Sequence, residues 1–152
     1  QACHLAVYDR GSVVVIAQQD SSTYWALSIR VGAQMSLFNT GSGHVLLAFQ
    51  NDAQRDRMMA EQLRGGNEDG VPEGLIERLD EVRDNGYESM NSLQTAGVRN
   101  ISAPVLTVDG TALAAITCPY ITPMNSEAPS AEDCVVLIRK AAAKISEIAA
   151  GQ

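Results

Sequence analysis

The dipeptide Asp109-Gly110 constrains the fold more than any other feature of this sequence, because it separates two short apolar runs, residues 101–108 and 111–118. Asp-Gly favours the two-residue turns that require positive φ angles and that join neighbouring antiparallel strands. Both runs are short and apolar, as expected for strands in a half-buried sheet. We therefore expect a β-hairpin here, and with it an antiparallel sheet.

The start of the chain predicts further strands of the same kind. Residues 4–8 and 12–17 are rich in β-branched or aromatic side chains and flank Asp9-Arg10-Gly11, which favours a second hairpin. Residues 24–30 alternate in character after the polar turn 20–22 and predict a third strand. An antiparallel meander of this kind leaves sheet faces for helices to cover.

Helical signals occupy the middle of the sequence. Gly41-Ser42-Gly43 precedes an apolar run that predicts a short buried helix over residues 44–49. Asn51-Asp52 can cap a second helix, which carries Met58, Met59 and Leu63. Residues 64–74 are rich in glycine and acidic side chains and are typical of a surface loop.

Two more helices are predicted by apolar spacing. Asn85-Gly86 ends a run in which Leu75, Ile76, Leu79 and Val82 recur at helical intervals. The segment 130–133 resembles a capping box, and a long terminal helix should follow it. Its apolar stripe consists of Val135, Ile138, Ala142, Ile145 and Ile148 or Ala149. The order of strands, helices, strands and helix predicts an α+β fold around an antiparallel sheet.

Composition limits the classes of function. The chain has 152 residues, 45% of them hydrophobic, which favours one compact domain over residues 1–152. Its net charge of −7 argues against DNA binding by this segment alone. The longest apolar stretches, 13–17 and 112–116, are far shorter than the roughly 20 residues that cross a bilayer. We expect a cytoplasmic domain without a membrane partner.

The cysteines and histidines predict no metal site and no cofactor. Cys3, Cys118 and Cys134 are odd in number, widely spaced and outside any C-x-x-C pair, so reduced, packed thiols are expected. His4 and His44 belong to no metal-binding array, and His4 lies on a predicted strand. The acidic residues read as solvated charges: Glu77, Glu81, Glu88 and Asp109.

Several blocks of sequence, in order, resemble one known family. Residues 31–48 resemble the pattern "vGxxxpLhxTaxGkalLA" of the effector-binding domain of IclR-type bacterial transcription regulators. Residues 79–87 resemble the family's "L..iR..GYa", residues 97–105 its "GvxxiAaPv", and residues 109–117 its "d.dG.vvaAls". Together the blocks span nearly the whole chain, which makes the ordered set far more specific than any single block.

The resemblance implies a fold, a function and partners. It implies a GAF/profilin-like α+β domain with a central antiparallel sheet of about six strands, flanked by helices. It implies an effector-binding domain that senses a small organic acid, has no catalytic residue and works as a homodimer or homotetramer. Family members read DNA through an N-terminal winged helix-turn-helix, which we do not find in this sequence, so DNA would be bound only through that missing domain.

The glycine turn is the expected anchor for the ligand. In a pocket of this kind, Gly41 and Ser42 would present free N–H groups at a positive helix end, which suits a carboxylate. The alternative is that the glycines merely permit a tight turn. The chain departs from the family at His44, where lysine is usual. We expect His44 on the helix surface, and a contact of its imidazole with the ligand stays open.

The remaining site residues follow from correspondence with the family's sensing positions. The apolar wall would consist of Tyr24, Leu27, Met35 and Val98, which without the resemblance read as ordinary core. Family members make polar contacts with the ligand at the positions that correspond to Met90, Asn100 and Thr117. This chain departs from the family at Met90, where several members carry an acidic residue. It also departs at residues 118–120, where several members have a serine-glycine step. Fewer hydrogen-bonding groups favour a ligand with an apolar or aromatic body and one acidic end.

Two other functions stay open on the sequence. A GAF-like thiol-dependent reductase would use Cys118, the strand-borne cysteine expected near the pocket, although no resolving cysteine is adjacent to it in sequence. A ligand-free dimerisation module would use the same helices and sheet.

Overall fold

The computed structural model describes residues 1–23, 25–124 and 127–151. Within them the strands are β1 (Cys3–Asp9), β2 (Ser12–Gln19), β3 (Gln34–Met35), β4 (Glu88–Asn91), β5 (Val98–Leu106) and β6 (Ala112–Ile121). The helices are α1 (Gly41–Ala48), α2 (Asp52–Arg64), α3 (Leu75–Asn85) and α4 (Ala131–Ala149).

The strands form one antiparallel sheet in the order β3-β2-β1-β6-β5-β4. Both predicted hairpins are confirmed: β1 pairs with β2, and β5 pairs with β6 across Asp109-Gly110. The first turn has positive φ angles of 44° at Arg10 and 88° at Gly11, as a two-residue hairpin turn requires. The pairing of β1 with β6 then joins the two hairpins in the centre of the sheet.

The third strand differs from the prediction. Residues 25–30 form no strand, and Tyr24 lies outside the described residues. The strand that pairs with β2 is Gln34–Met35, with Met35 opposite Val13. The alternation of polar and apolar side chains near Trp25 was misleading, because the backbone there forms no strand pairing. The N–H of Ile29 donates to the side chain of Gln18 instead.

Strand β4 was not predicted at all. Its four residues, Glu88–Asn91, are mostly polar and lack the apolar alternation that marks a strand in a sequence. It forms because β5 offers a free edge, along which Met90 pairs with Asn100. Neighbouring strands, not local propensity, decide its conformation.

The sheet buries side chains on both faces. Thr117 and Ala115 on β6 face α1, whereas Ile116 and Cys118 face α4, because successive residues of a strand point to opposite sides. The core on the α1 side also contains apolar residues of α2 and α3. The α4 side is a smaller core that includes Ile101 and Tyr120.

The helix boundaries largely confirm the sequence signals. Asn51 caps α2, accepting a hydrogen bond from the N–H of Gln54 at 2.8 Å, and Gly86 ends α3 with a φ of 85°. Ser130 and Asp133 form the predicted capping box of α4. On α4 the predicted stripe is buried at Ile138 and Ala142 and partly buried at Val135 and Ile145, but Ile148 is 63% exposed.

Helix α1 is buried at all eight positions, which is possible only because two of them are glycines. A Cβ at Gly41 would lie 2.6 Å from Ser102 Oγ, and one at Gly43 would lie 2.4 Å from the carbonyl oxygen of Leu37. Neither glycine has a positive φ. The glycines therefore serve the close approach of α1 to its neighbours, and the reading that they merely permit a tight turn is not what the backbone shows.

This packing leads to a stability prediction. Gly43→Ala should lower the free energy of unfolding by about 1–3 kcal/mol, because the new methyl group meets rigid backbone atoms of Leu37. Alanine's better helix propensity of roughly 1 kcal/mol will offset only part of that loss. Urea denaturation of both proteins measures the difference.

Gly70→Ala is the matched control, because a Cβ there meets nothing within 4 Å and the residue has no positive φ. It should leave the free energy of unfolding nearly unchanged. A Gly43→Ala protein as stable as the Gly70→Ala protein would show that α1 is not held as tightly as described.

Candidate ligand-binding site

A cavity of about 380 Å³ lies where the start of α1 meets strands β1, β5 and β6 and the segment 27–36. Its volume is in the range of roughly 300–1,000 Å³ typical of small-molecule pockets. The residues lining it are His4, Leu27, Ile29, Gln34, Met35, Ser36, Asn39, Thr40, Gly41, Ser42, Ser92, Gln94, Thr95, Val98, Asn100, Thr117 and Pro119.

Most of the residues proposed from the sequence come together at this cavity. Those that line it are Gly41, Ser42, Leu27, Met35, Val98, Asn100 and Thr117. Tyr24 lies outside the described residues. Met90 does not line the cavity: it lies opposite Asn100 on β4, the outermost strand, and is thus one strand farther from α1.

A cluster of three buried hydroxyl groups borders the cavity, and two of its members, Ser42 and Thr117, line it. Thr117 Oγ1 lies 2.7 Å from Ser42 Oγ and 2.7 Å from Ser102 Oγ, so it bridges α1 to β5. Three hydroxyl hydrogens share two mutual hydrogen bonds, which leaves one O–H able to donate elsewhere. Ser102 was missed in the sequence, although its place two residues after Asn100 on a predicted strand puts both on one face.

The first turn of α1 offers backbone donors to the same space. Thr40 caps the helix: its hydroxyl accepts from the N–H of Gly43 at 3.0 Å, and its carbonyl accepts from the N–H of His44 at 3.0 Å. No described residue accepts a hydrogen bond from the N–H of Gly41 or Ser42. Two donors at the positive end of the helix are therefore available at the cavity wall.

The cavity wall carries no formal charge. Among the described residues, the lining contains no aspartate, glutamate, lysine or arginine, and His4 is its one titratable side chain. Burial lowers the pKa of His4 to about 4, so its imidazole is neutral near pH 7. Five of the lining side chains are apolar: Leu27, Ile29, Met35, Val98 and Pro119.

His44 is buried, with only 6% of its surface exposed, and the expectation that it lies on the helix surface is wrong. Its Nδ1 lies 2.8 Å from Glu88 Oε2 and its Nε2 lies 2.7 Å from the carbonyl oxygen of Phe38. A carboxylate and a carbonyl can only accept hydrogen bonds, so both ring nitrogens must donate. Both ring nitrogens are therefore paired, and His44 is not among the residues that line the cavity.

Glu88 is the centre of a buried ion-pair network, and the reading of this residue as a solvated charge is wrong. Its side chain is 1% exposed. The carboxylate is hydrogen-bonded to His44 and accepts hydrogen bonds from Nε and Nη2 of Arg78, with the Nε bond at 3.0 Å. Burial by itself would raise the pKa of Glu88, but the hydrogen bonds and charges of His44 and Arg78 outweigh burial and lower the pKa to about 2. The network ties α1 to α3 and β4.

Glu88 therefore makes a pH-dependent contribution to stability. Its pKa falls from an ordinary 4.5 to about 2 on folding, so its contribution is complete above pH 4.5 and is lost as the pH falls through 2. A shift of that size corresponds to on the order of 3 kcal/mol. In Glu88→Gln, the loss of stability between pH 4.5 and pH 2 should be smaller, and at pH 7 unfolding should cost about 3–5 kcal/mol less.

Denaturant titrations at several pH values measure both effects. Glu81→Gln is the matched control, because Glu81 pairs with the same Arg78 but is 63% exposed, and exposed pairs contribute less than about 1 kcal/mol. If Glu88→Gln and Glu81→Gln had the same stability at pH 7, the buried network would not support the fold.

Cys118 lies on the face of the sheet opposite the cavity, so the expectation that it is near the pocket is wrong. Its thiol is hydrogen-bonded with that of Cys134 on α4, so a second cysteine is adjacent in space although not in sequence. Burial, and next the nearby Cys134, raise the pKa of Cys118 to about 12. A thiol with this pKa is almost wholly protonated near pH 7 and is a poor nucleophile.

The described residues contain neither a metal-binding cluster nor a membrane-spanning helix. Residues 1–23, 25–124 and 127–151 contain no group of three or more histidine, cysteine or acidic side chains placed to hold a metal ion. None of the helices within these ranges has the length and apolar character needed to cross a membrane.

Comparison of the sequence with known families and proteins gives consistent matches. The sequence model of the family described as "Bacterial transcriptional regulator IclR C-terminal" matches residues 1–147. The HTH-type transcriptional regulator KdgR of Escherichia coli (strain K12) is 30% identical over 149 residues, 96% of this chain and 56% of KdgR. KdgR of Dickeya chrysanthemi is 29% identical over 150 residues, 97% and 49% of the two chains. The chain thus spans about half the length of these curated relatives.

Solved structures match the fold over almost its full length. The crystal structure of the C-terminal domain of E. coli KdgR matches with a TM-score of 0.74 and 27% identity, covering 98% of this chain and 87% of that one. The Thermotoga maritima IclR structure matches with a TM-score of 0.75 and 18% identity, covering 100% and 62%. These matches confirm the predicted GAF/profilin-like α+β architecture.

Proposed function

Because this chain belongs to the IclR family of bacterial transcriptional regulators as its C-terminal, effector-binding domain, we propose that it binds a small organic acid in the cavity at the start of α1. One observation carries the proposal. The N–H groups of Gly41 and Ser42 have no acceptor among the described residues, and they border a cavity whose lining holds no acidic side chain.

The acidic end of the ligand is proposed to bind at α1. A carboxylate placed there would accept hydrogen bonds from the two free N–H groups and gain from the positive end of the helix. The hydroxyl cluster supports the same placement: with Ser102 donating to Thr117 and Thr117 to Ser42, the remaining hydrogen of Ser42 points to the ligand. No lining carboxylate would repel the anion.

The rest of the ligand is proposed to be apolar or aromatic. Besides the start of α1, the cavity is lined by aliphatic side chains and by Pro119, which lies in the segment 118–120 where the family has a serine-glycine step. Burying an apolar body against them contributes roughly 25 cal/mol for each Å² removed from water. A charged or heavily hydroxylated body would lose its hydration there without an equivalent gain.

The two rival functions receive less support. A thiol-dependent reductase would need a reactive thiolate at the cavity, but Cys118 lies on the other face with a pKa near 12. A ligand-free dimerisation module would leave the cavity and its free donors without a role. The relatives are named as transcriptional regulators, and we propose that this chain likewise catalyses no reaction.

We also propose how binding acts on transcription. This chain spans about half of its curated relatives and carries a net charge of −7, so DNA would be bound by another part of the full-length cytoplasmic protein, not by this domain. A homodimer or homotetramer would convert ligand binding in each domain into a changed spacing of the DNA-binding parts.

The proposal predicts stabilisation by acids. A panel of aromatic and aliphatic carboxylic acids, tested by urea denaturation, should contain members that raise the midpoint of unfolding. At a ligand concentration 100 times the Kd, the added stability is about 2.7 kcal/mol. The corresponding amides lack the charge and should stabilise the domain much less.

A single isosteric change tests where the acid binds. Asn100→Asp adds a negative charge to the cavity wall without changing its shape, and should weaken acid binding at least tenfold, or about 1.4 kcal/mol. Asn91→Asp adds the same charge to an exposed position on the neighbouring strand β4 and should change the Kd little. Equal effects of the two variants, or no stabilisation of the wild-type chain by any acid, would contradict the proposal.

A further inference from the structure

His4 is an unpaired polar side chain at the wall of this cavity. It lies on β1 directly opposite Thr117 of β6, and only 4% of its surface is exposed. Its Nδ1 has no hydrogen-bond partner among the described residues, and no hydrogen bond of its Nε2 is formed within them. Buried polar groups are almost always paired, so an unpaired imidazole at a cavity requires an explanation.

The neighbours of His4 on both adjacent strands have their hydrogen bonds elsewhere. Thr117 is bonded to the two serines of the hydroxyl cluster. Gln18, opposite His4 on β2, accepts from the N–H of Ile29 and donates to Gln19 and Asp20. The partner that His4 lacks is therefore not supplied by the sheet, and the open direction is the cavity.

The charge state of His4 defines the partner it can take. Burial lowers its pKa to about 4, and no charged side chain of the described residues contributes to that shift. The neutral ring has one N–H donor and one acceptor nitrogen. Its terminal torsion is broad and roughly two-fold, so rotation about Cβ–Cγ can turn either ring edge toward the cavity.

We propose that His4 is a further effector contact, which hydrogen-bonds an uncharged hydroxyl group of the ligand. This inference rests on the proposed function. A hydroxyl suits a neutral imidazole because it can donate to the acceptor nitrogen or accept from the N–H, whichever tautomer is present. The carboxylate is drawn instead to the free N–H groups of Gly41 and Ser42.

The spacing of the two contacts defines the ligand class. Side chains directly opposite each other on antiparallel strands have Cβ atoms about 4.5–5.5 Å apart, so His4 is a close neighbour of Thr117. Thr117 in turn lies 2.7 Å from Ser42 at the start of α1. These short steps favour a hydroxyl one or two carbons from the carboxylate. The site selects 2- or 3-hydroxy carboxylic acids with an apolar body.

Matched acid pairs test this selection. Urea denaturation of the 152-residue chain is measured with 3-phenyllactate and 3-phenylpropionate, and with 2-hydroxy-4-methylpentanoate and 4-methylpentanoate. A site built to bond a hydroxyl rejects the analogue that lacks it, because its own polar group is left unpaired. We expect the wild-type chain to bind the hydroxy acid of at least one pair tenfold or more tightly than its deoxy partner.

Variants of His4 assign the preference to the imidazole. His4→Leu should bind both acids of the pair equally, whereas His4→Gln, which keeps a donor and an acceptor, should retain part of the preference. Gln19→Leu is the control, because Gln19 is exposed on β2 and does not line the cavity, and it should keep the full preference. Nitrogen NMR of the wild-type imidazole gives a readout independent of variant folding: the hydroxy acid should shift the His4 resonances more than the deoxy acid.

The outcomes separate the two proposals. A wild-type chain that binds the acids of each pair equally, or a His4→Leu chain that keeps the preference, would overturn the role of His4 and leave acid binding intact. A wild-type chain stabilised by no carboxylic acid would overturn the proposed function itself. The first failure is observed as a lost difference between two acids, and the second as the loss of all binding.

Discussion

The close approach of α1 to the sheet is the constraint on which the rest of this structure depends. All eight residues of the helix are buried, and the positions of Gly41 and Gly43 leave no room for a Cβ. A helix enclosed in this way cannot rely on water to satisfy its polar groups. Each one needs a protein partner: Thr40 caps the first turn, Ser42 bonds to Thr117, and His44 bonds to Glu88.

The two sides of α1 differ in how completely this requirement is met. Toward α3 and β4, His44, Glu88 and Arg78 form a network in which every charge has an opposite partner. Toward the cavity, the N–H groups of Gly41 and Ser42 and the ring of His4 have no partner among the described residues. The side of α1 whose polar groups are paired supports the side whose hydrogen-bonding groups are unpaired, which is the arrangement that a pre-formed binding site needs.

The sequence predicted the elements whose signals are local. Hairpins at Asp9–Gly11 and Asp109-Gly110, the caps at Asn51 and Ser130, and the helix end at Gly86 depend on a few adjacent residues and on their turn or capping chemistry. Strands β3 and β4 were missed because they are short, polar and held by a neighbouring edge. Glu88 and His44 were misread as surface residues because their burial depends on the packing of α1 against β4, which joins distant parts of the chain.

By itself, the sequence determined the α+β architecture, the family and seven of the 17 residues that line the cavity, because alternation, capping and ordered motifs are properties of neighbouring positions. The tertiary structure alone decided what those residues do together. Only folding brings Thr117 between two serines, turns Cys118 away from the cavity and leaves His4 buried without a partner. Burial and pairing depend on which strands lie side by side, and no local pattern encodes that order.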